Sequence, residues 1–269
     1  MPDSSARYTH GHHDSVLRSH RWRTAENSAA YLLPLLRPGM RLLDVGCGPG
    51  TLTTDLAERV SPGVVVGMDI AAAVLDEACR HASERGLANV TFVEGDVRTA
   101  ALDEAPFDVV HAHQVLHYLD DPVAALRSMA KMTKSTGVVA AREGDYASMV
   151  WAPDDPRLDR WLSIYRVVLA RNGGNPDGGR LLPRWARSAG LRIVRFTTST
   201  WTFASADDRA WWGELWAERV IRSSFASQAI EYGVSDHAEL AEVADAWRSW
   251  AATPDAVFAM LHGELIASP

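Results

Sequence analysis

The stretch "LLDVGCGPG", residues 42–50, decides the fold. A short strand of buried type, LLDV, runs straight into a turn with glycine at every second position: Gly46, Gly48 and Gly50. Glycine lets the backbone turn tightly and lets a ligand come close to the main chain. "TLTTDLAERV" (51–60) follows, with Leu52, Leu56 and Val60 on one helical face. The spacing is G-x-G-x-G, and Thr51 stands where a dinucleotide fingerprint would carry its third glycine. Asp44, just before the turn, suits a ligand bearing an ammonium group better than a pyrophosphate. A nicotinamide-dependent oxidoreductase is therefore kept only as an alternative.

The same rhythm continues outward. "GVVVGMDI" (63–70) reads as a second strand, and "AAAVLDEACRHASERG" (71–86) as a helix ended by Gly86. "NVTFVEGD" (89–96) and "FDVVHAHQ" (107–114) are further strands. Asp121 and Pro122 provide an N-cap and a first-turn proline for the next helix, and "TGVVAARE" (136–143) makes a fifth strand. Such alternation implies parallel βαβ units with right-handed crossovers. The near-continuous Val/Leu/Ile runs fit strands buried on both faces.

Beyond Glu143 the alternation breaks down. "LPRWARSAGLRIVRFTTSTWTF" (182–203) reads as helix, glycine stop and sixth strand, and "DAVFAMLHGELIAS" (255–268) as a seventh. The expected architecture is α/β: a doubly wound, seven-stranded, mostly parallel sheet with an N-terminal helical lid and helical cap inserts. Its parts are a lid and helix (1–39), a ligand-binding core (40–143), an insert (144–179), a core helix and strand (180–203), a helical cap (204–253) and a last core strand (254–269). Ligands of such sheets sit at the carboxyl ends of the strands.

Composition narrows the function. Among 269 residues the net charge is −7, and no Lys/Arg run forms a basic patch, which argues against a nucleic-acid partner. No apolar stretch approaches the ~20 residues of a membrane span. The N-terminus lacks the pattern of a signal peptide, and two cysteines, Cys47 and Cys79, make no disulfide framework, so the cytoplasm is the expected compartment. Of ten tryptophans only Trp22 precedes position 150, so the two halves differ in character.

"LLDVGCGPGTLT", "VVGMDI", "VTFVEGDV" and "FDVVHAHQVLHYLDDP" together resemble the successive motifs of class I S-adenosylmethionine-dependent methyltransferases, in particular the UbiE-like small-molecule group. The resemblance covers residues 40–143 closely and the two late strands loosely. It implies S-adenosylmethionine as cofactor, with Gly46, Gly48 and Gly50 passing under its methionine and ribose. It implies that Asp69 takes the ribose hydroxyls, with Ile70 beside the adenine. Asp96 would accept from the adenine amino group, and Val97 would offer its backbone amide to the ring. His113 and Gln114 would lie near the methionine portion. The (N/D/S)-P-P-(Y/F) stretch of nucleic-acid amine methylases is absent, since that place reads "HQVLHYL". A non-catalytic S-adenosylmethionine-binding protein remains a second alternative.

The acceptor side is less determined. His111 and His113 share one face of the fourth strand, with His111 deeper and read as a hydrogen-bonded core residue. His117 follows the strand end at the expected mouth and is the candidate general base; Tyr118 and Tyr146 are candidates for the same rim. "DDRAWWGELWAERVI" (207–221) spaces Trp212, Leu215, Trp216 and Arg219 along one helical side, so Trp212 and Trp216 are candidate acceptor walls and an apolar or planar small substrate is expected. The opening "YTHGHH…SHRWRTAENSA" is similar to UbiE-like enzymes that S-methylate dithiol metabolites, which makes thiol sulfur the lead acceptor, with oxygen, nitrogen or carbon otherwise. In that family the N-terminal segment lies over the mouth, which would bring Tyr8, His12 and Arg23 near the methionine carboxylate or the substrate. Asp14 is the expected N-cap of its helix, and Val16, Leu17, Leu32 and Leu33 the apolar side that docks on the sheet. No metal is expected at the histidine cluster, because no Cys/His/Glu pattern completes a ligand set.

Overall fold

The computed structural model describes residues 9, 11, 13–100 and 106–269. Five parallel strands are laid down first: β1 (Leu42–Val45), β2 (Val65–Asp69), β3 (Val90–Glu94), β4 (Phe107–His113) and β5 (Thr133–Gly144). Their order is β3-β2-β1-β4-β5, so the connection reverses direction between β1 and β4 and opens a crevice there. β8 (Val257–Ser268) runs antiparallel to β5, and β7 (Arg192–Phe203) antiparallel to β8 along nearly its whole length.

The period-two rule accounts for the two layers that clasp this sheet. Leu43, Val66, Val110, Val139 and Leu265 face one side, where α5 (Pro122–Met132) and α7 (Gly178–Ser188) supply Leu126, Met129, Leu182 and Trp185. Their sequence neighbours Leu42, Val65, Val109, Ala140 and Ile266 face the other, under Leu52, Leu56 and Val60 of α3 (Thr51–Val60). α4 (Ala72–Glu84) lies beside α3 and packs on β2 and β3.

The strand count differs from expectation. The short β6 (Val150–Ala152) joins β8 where β5 has ended, making eight strands rather than seven. Three residues inside an insert are too few for a period to be read from sequence.

The cap has its own core. α6 (Pro156–Arg171), α8 (Ala206–Arg222), α9 (Ser224–Glu231) and α10 (His237–Ala252) bury Trp161, Trp212, Trp216, Trp247 and Trp250 around Phe258 of β8. Trp161 meets Trp216 and Trp247 edge-on at centroid distances of 4.6 and 4.8 Å, a favourable geometry for aromatic quadrupoles.

The N-terminal helical region is broken, not continuous. α1 (Asp14–Arg21) stops at Trp22, and α2 (Ala25–Ser28) restarts from a Thr24–Asn27 capping box. His13, not Asp14, caps α1, its Nδ1 accepting from the Ser15 amide at 3.2 Å; Asp14 instead pairs with Arg18 and Arg21. α1 also docks differently from expectation. Its polar side is fastened to the cap, with Arg18 paired to Glu218 and Arg219 donating to the Ser15 carbonyl at 2.9 Å and Ser19 Oγ at 2.8 Å. Arg21 reaches Glu77 of α4 at 2.6 Å, and Leu17 packs with Cys47, Val74 and Leu75. Leu32, further along, lies in the sheet-facing core, and the partly buried Leu33 packs against it. α1 is thus a strap from cap to core, drawn by its charged residues as much as its apolar ones.

Candidate active site

A cavity of about 1230 Å³, including its open mouth, lies at the crevice between β1 and β4. Its floor is the glycine turn. Gly46 and Gly50 have φ of +68° and +79°, which side-chain-bearing residues avoid. A Cβ on Gly46 would lie 2.3 Å from Val115 Cγ2, and one on Gly50 2.8 Å from Ala78 Cβ, so neither position has room for another residue. The Gly48 amide donates to Asp69 Oδ2 at 2.9 Å, and Asp69 Oδ1 accepts from the Ala71 amide at 3.0 Å. Asp69 therefore shapes the turn while each oxygen keeps a lone pair for a ligand.

The remaining strand-end residues are set around it. Asp44 is buried, accepting from Thr53 Oγ1 at 2.6 Å and hydrogen-bonded to His111 Nδ1 at 2.8 Å, yet it still lines the cavity. His111 is fully buried, in accord with a core role. Ile70 is exposed at the lip, and Val97 is buried behind it. Asp96 lines the cavity but is not a lone carboxylate: Arg98 grips both its oxygens and, chiefly through those hydrogen bonds, holds its pKa below the usual carboxylate range. His113 lines the cavity with neither ring nitrogen hydrogen-bonded to protein. Burial, reinforced by the Arg23 and Arg142 charges, holds that ring well below the ordinary histidine range, so it is neutral. Gln114 sits at φ +53°, rare for a residue with a side chain, and spans from Arg23 (2.9 Å) to His262 (2.8 Å).

A second, narrow aromatic chamber adjoins the first, with about 470 Å³ of empty space including the part open to solvent. His20, Arg23, Gln114 and Tyr118 line both. Beyond them stand Trp22, Trp201, Trp212 and Trp216, with Tyr146, Met149, Met260 and Arg219. No acidic side chain among the described residues lines this chamber, whereas two arginines do.

Tyr118, Tyr146, Trp212, Trp216 and Arg23 are thus brought together as the sequence suggested. His117 is not. Its ring is fully buried behind the chamber wall, clamped between Glu143 and the Tyr146 hydroxyl, because the turn after β4 folds inward onto the end of β5. Tyr8 and His12 lie outside the described residues. Sequence reasoning missed His20, Trp22, Trp201 and Glu143, and placed Arg219 on the tryptophan stripe without giving it a role. For Glu143 a signal existed, an acid at the carboxyl end of a parallel strand.

Fold and cavity together define a class I, S-adenosylmethionine-dependent methyltransferase: a switch-point crevice, a glycine floor and acids at the ends of β2 and β3. The family model described as "Methyltransferase domain" matches residues 36–170. An uncharacterized methyltransferase of Schizosaccharomyces pombe is 32% identical over 98% of this chain and 97% of its own length. "Probable methyltransferase ltbC" of Aspergillus luteorubrus is 31% identical over 97% and 96% respectively. The chain belongs to this methyltransferase family, and the nicotinamide alternative is set aside. The [4+2]-cyclase SpnF shares the fold, with a TM-score of 0.54 and 22% identity over 98% of this chain and 84% of its own. Likeness at that level carries the fold and no reaction. No helix among the described residues is long and apolar enough to cross a membrane.

Proposed function

We propose that the protein methylates a thiol sulfur of an apolar or planar small molecule, of secondary-metabolite type, held in the aromatic chamber. The observation that carries this reading is the shared wall: residues of the cofactor cleft are themselves residues of the chamber, so an acceptor there lies next to the cofactor. When bound, S-adenosylmethionine supplies a methyl group on a sulfonium, which needs an aligned nucleophile and little else.

In this reading the glycine turn and Asp69 hold ribose and methionine, Ile70, Asp96 and Val97 border the adenine, and Asp44 meets the ammonium group. The neutral His113 ring is left to donate to the cofactor, and the α1 strap closes both spaces. Arg23 and Arg219 both line the chamber, and their positive charge favours an acceptor that reacts as an anion. A thiol (pKa about 8.5) ionises more readily than a phenol (about 10), which supports sulfur over oxygen. The indoles suit a planar body.

The test is incubation with S-adenosylmethionine and panels of aryl thiols, phenols and amines, with products weighed by mass spectrometry. Methylated thioethers are expected. Methylation of phenols or amines with thiols left untouched would remove the sulfur assignment.

A further inference from the structure

Glu143, the penultimate residue of β5, has no exposed surface. Its Oε1 accepts the amides of Val115 at 3.1 Å and Leu116 at 2.9 Å, and its Oε2 faces the His117 ring Nδ1. A carboxylate only accepts, so Nδ1 carries the ring hydrogen and Nε2 presents its lone pair. That lone pair faces the Tyr146 hydroxyl at 3.2 Å. Tyr146 is the one member of this chain of groups that lines the aromatic chamber.

The arrangement is sealed from behind. The Asn175 amide donates to the His117 carbonyl at 2.7 Å, and a Cβ on Gly178 would stand 2.6 Å from His117 Cβ. Only glycine lets the segment 172–179 lie so close, which keeps water off the imidazole. Among the described residues, Tyr165 of α6, at 3.1 Å, and Tyr118, at 3.4 Å, also face Tyr146, each hydroxyl to hydroxyl. Burial raises both well above the ordinary phenol range, so they remain protonated and serve as hydrogen-bond partners.

We propose that Tyr146 is the catalytic residue that receives the acceptor's proton, with His117 and Glu143 as the positioning residues that draw it away. The proposal rests on the chamber being the acceptor site. The acceptor S–H bond breaks and its proton joins the Tyr146 oxygen, while the proton of Tyr146 moves to Nε2 of His117. A thiolate is left in the chamber and an imidazolium against Glu143, with charge and protons balanced. After methyl transfer the thioether cannot take the proton back, so the imidazolium passes it through Tyr146 to water as the product leaves and the strap opens.

The experiment uses ring-substituted thiophenols and phenols with the full chain, as wild type, Tyr146→Phe and His117→Gln. Binding to the S-adenosylhomocysteine-loaded protein is read by the absorbance of the acceptor anion. Wild type is expected to ionise acceptors whose pKa lies above the assay pH, and the ionised fraction to fall at least tenfold in either variant. In turnover, Tyr146→Phe is expected to lose about 10²-fold in kcat for such acceptors. The loss shrinks toward none for acceptors already ionised in solution, with the KM for S-adenosylmethionine unchanged. A purely structural tyrosine would lower all acceptors alike, and that result, or wild-type turnover in Tyr146→Phe, overturns the relay. Binding of phenols without thiols would fault the sulfur reading alone, since the same comparison then judges the relay on phenols. Failure of every probe to bind would take both down.

Discussion

The cofactor cleft and the aromatic chamber share four side chains but are built in opposite ways. The cleft is made of main-chain turns at consecutive strand ends, so each of its residues lies next to an element that already has a reason to exist. The chamber is made of side chains from six separated stretches, near residues 20, 114–118, 146–149, 201, 212–219 and 260, which meet only when the cap closes on the sheet. The cleft therefore stands on local backbone geometry, and the chamber on the packing of indoles.

Trp161→Ala should break the comparison most strongly. This fully buried ring holds Trp216 and Trp247 in place, and its loss should cost about 4 kcal/mol of folding free energy. Denaturant titration measures the loss; acceptor turnover should fall with it, while residual folded protein keeps its cofactor affinity. A variant that weakened both sites equally would show that cap and cleft are one packing unit.

Asp69→Ala attacks the other side. It removes the clamp on Gly48 and, under the proposed function, the carboxylate that would take the ribose hydroxyls, so S-adenosylmethionine affinity should drop a hundredfold or more, about 3 kcal/mol. Calorimetric titration checks this, and unaltered binding would displace Asp69 from the cofactor site.

The boundary between the two regions should report on pH. His113 and His262 are buried and held well below the ordinary histidine range. The unfolded chain therefore takes up protons first as pH falls through about 6.5, and stability declines from there downward, by as much as about 1.4 kcal/mol per pH unit for each ring. Denaturation curves at pH 7.5 and 5.5 test it; identical midpoints would mean that the folded rings protonate freely.

The smallest effect should come from Arg18→Ala, which releases one fastening of the strap. The pair is partly exposed, so the cost should stay below about 1 kcal/mol, seen as a small shift in Tm.

These differences explain what the sequence could reveal. Strand alternation, the glycine turn and the strand-end position of Asp69 were legible because each is a short-range pattern with one physical reading; the order of the strands in the sheet came only with the structure. Trp212 and Trp216 were legible as a helical stripe, although not what they would face. His117 was placed at the mouth because strand-end position is visible in sequence; that the following turn folds inward depends on Glu143, twenty-six residues away. His20, Trp22 and Trp201 gave no local sign, since their common address is set by how α1, β7 and α8 converge.

The shared wall has one further consequence. Arg23, bonded to Gln114 and lying 5.9 Å from the Trp201 ring centroid, lines both spaces, so under the proposed function it would serve two occupants at once. Two ligands that lean on the same side chains cannot have independent affinities. By thermodynamic reciprocity, whatever factor the cofactor imposes on acceptor binding, the acceptor imposes on the cofactor. The spent cofactor and the methylated product are coupled in the same way, so the wall that aligns the reactants also links the departure of the products.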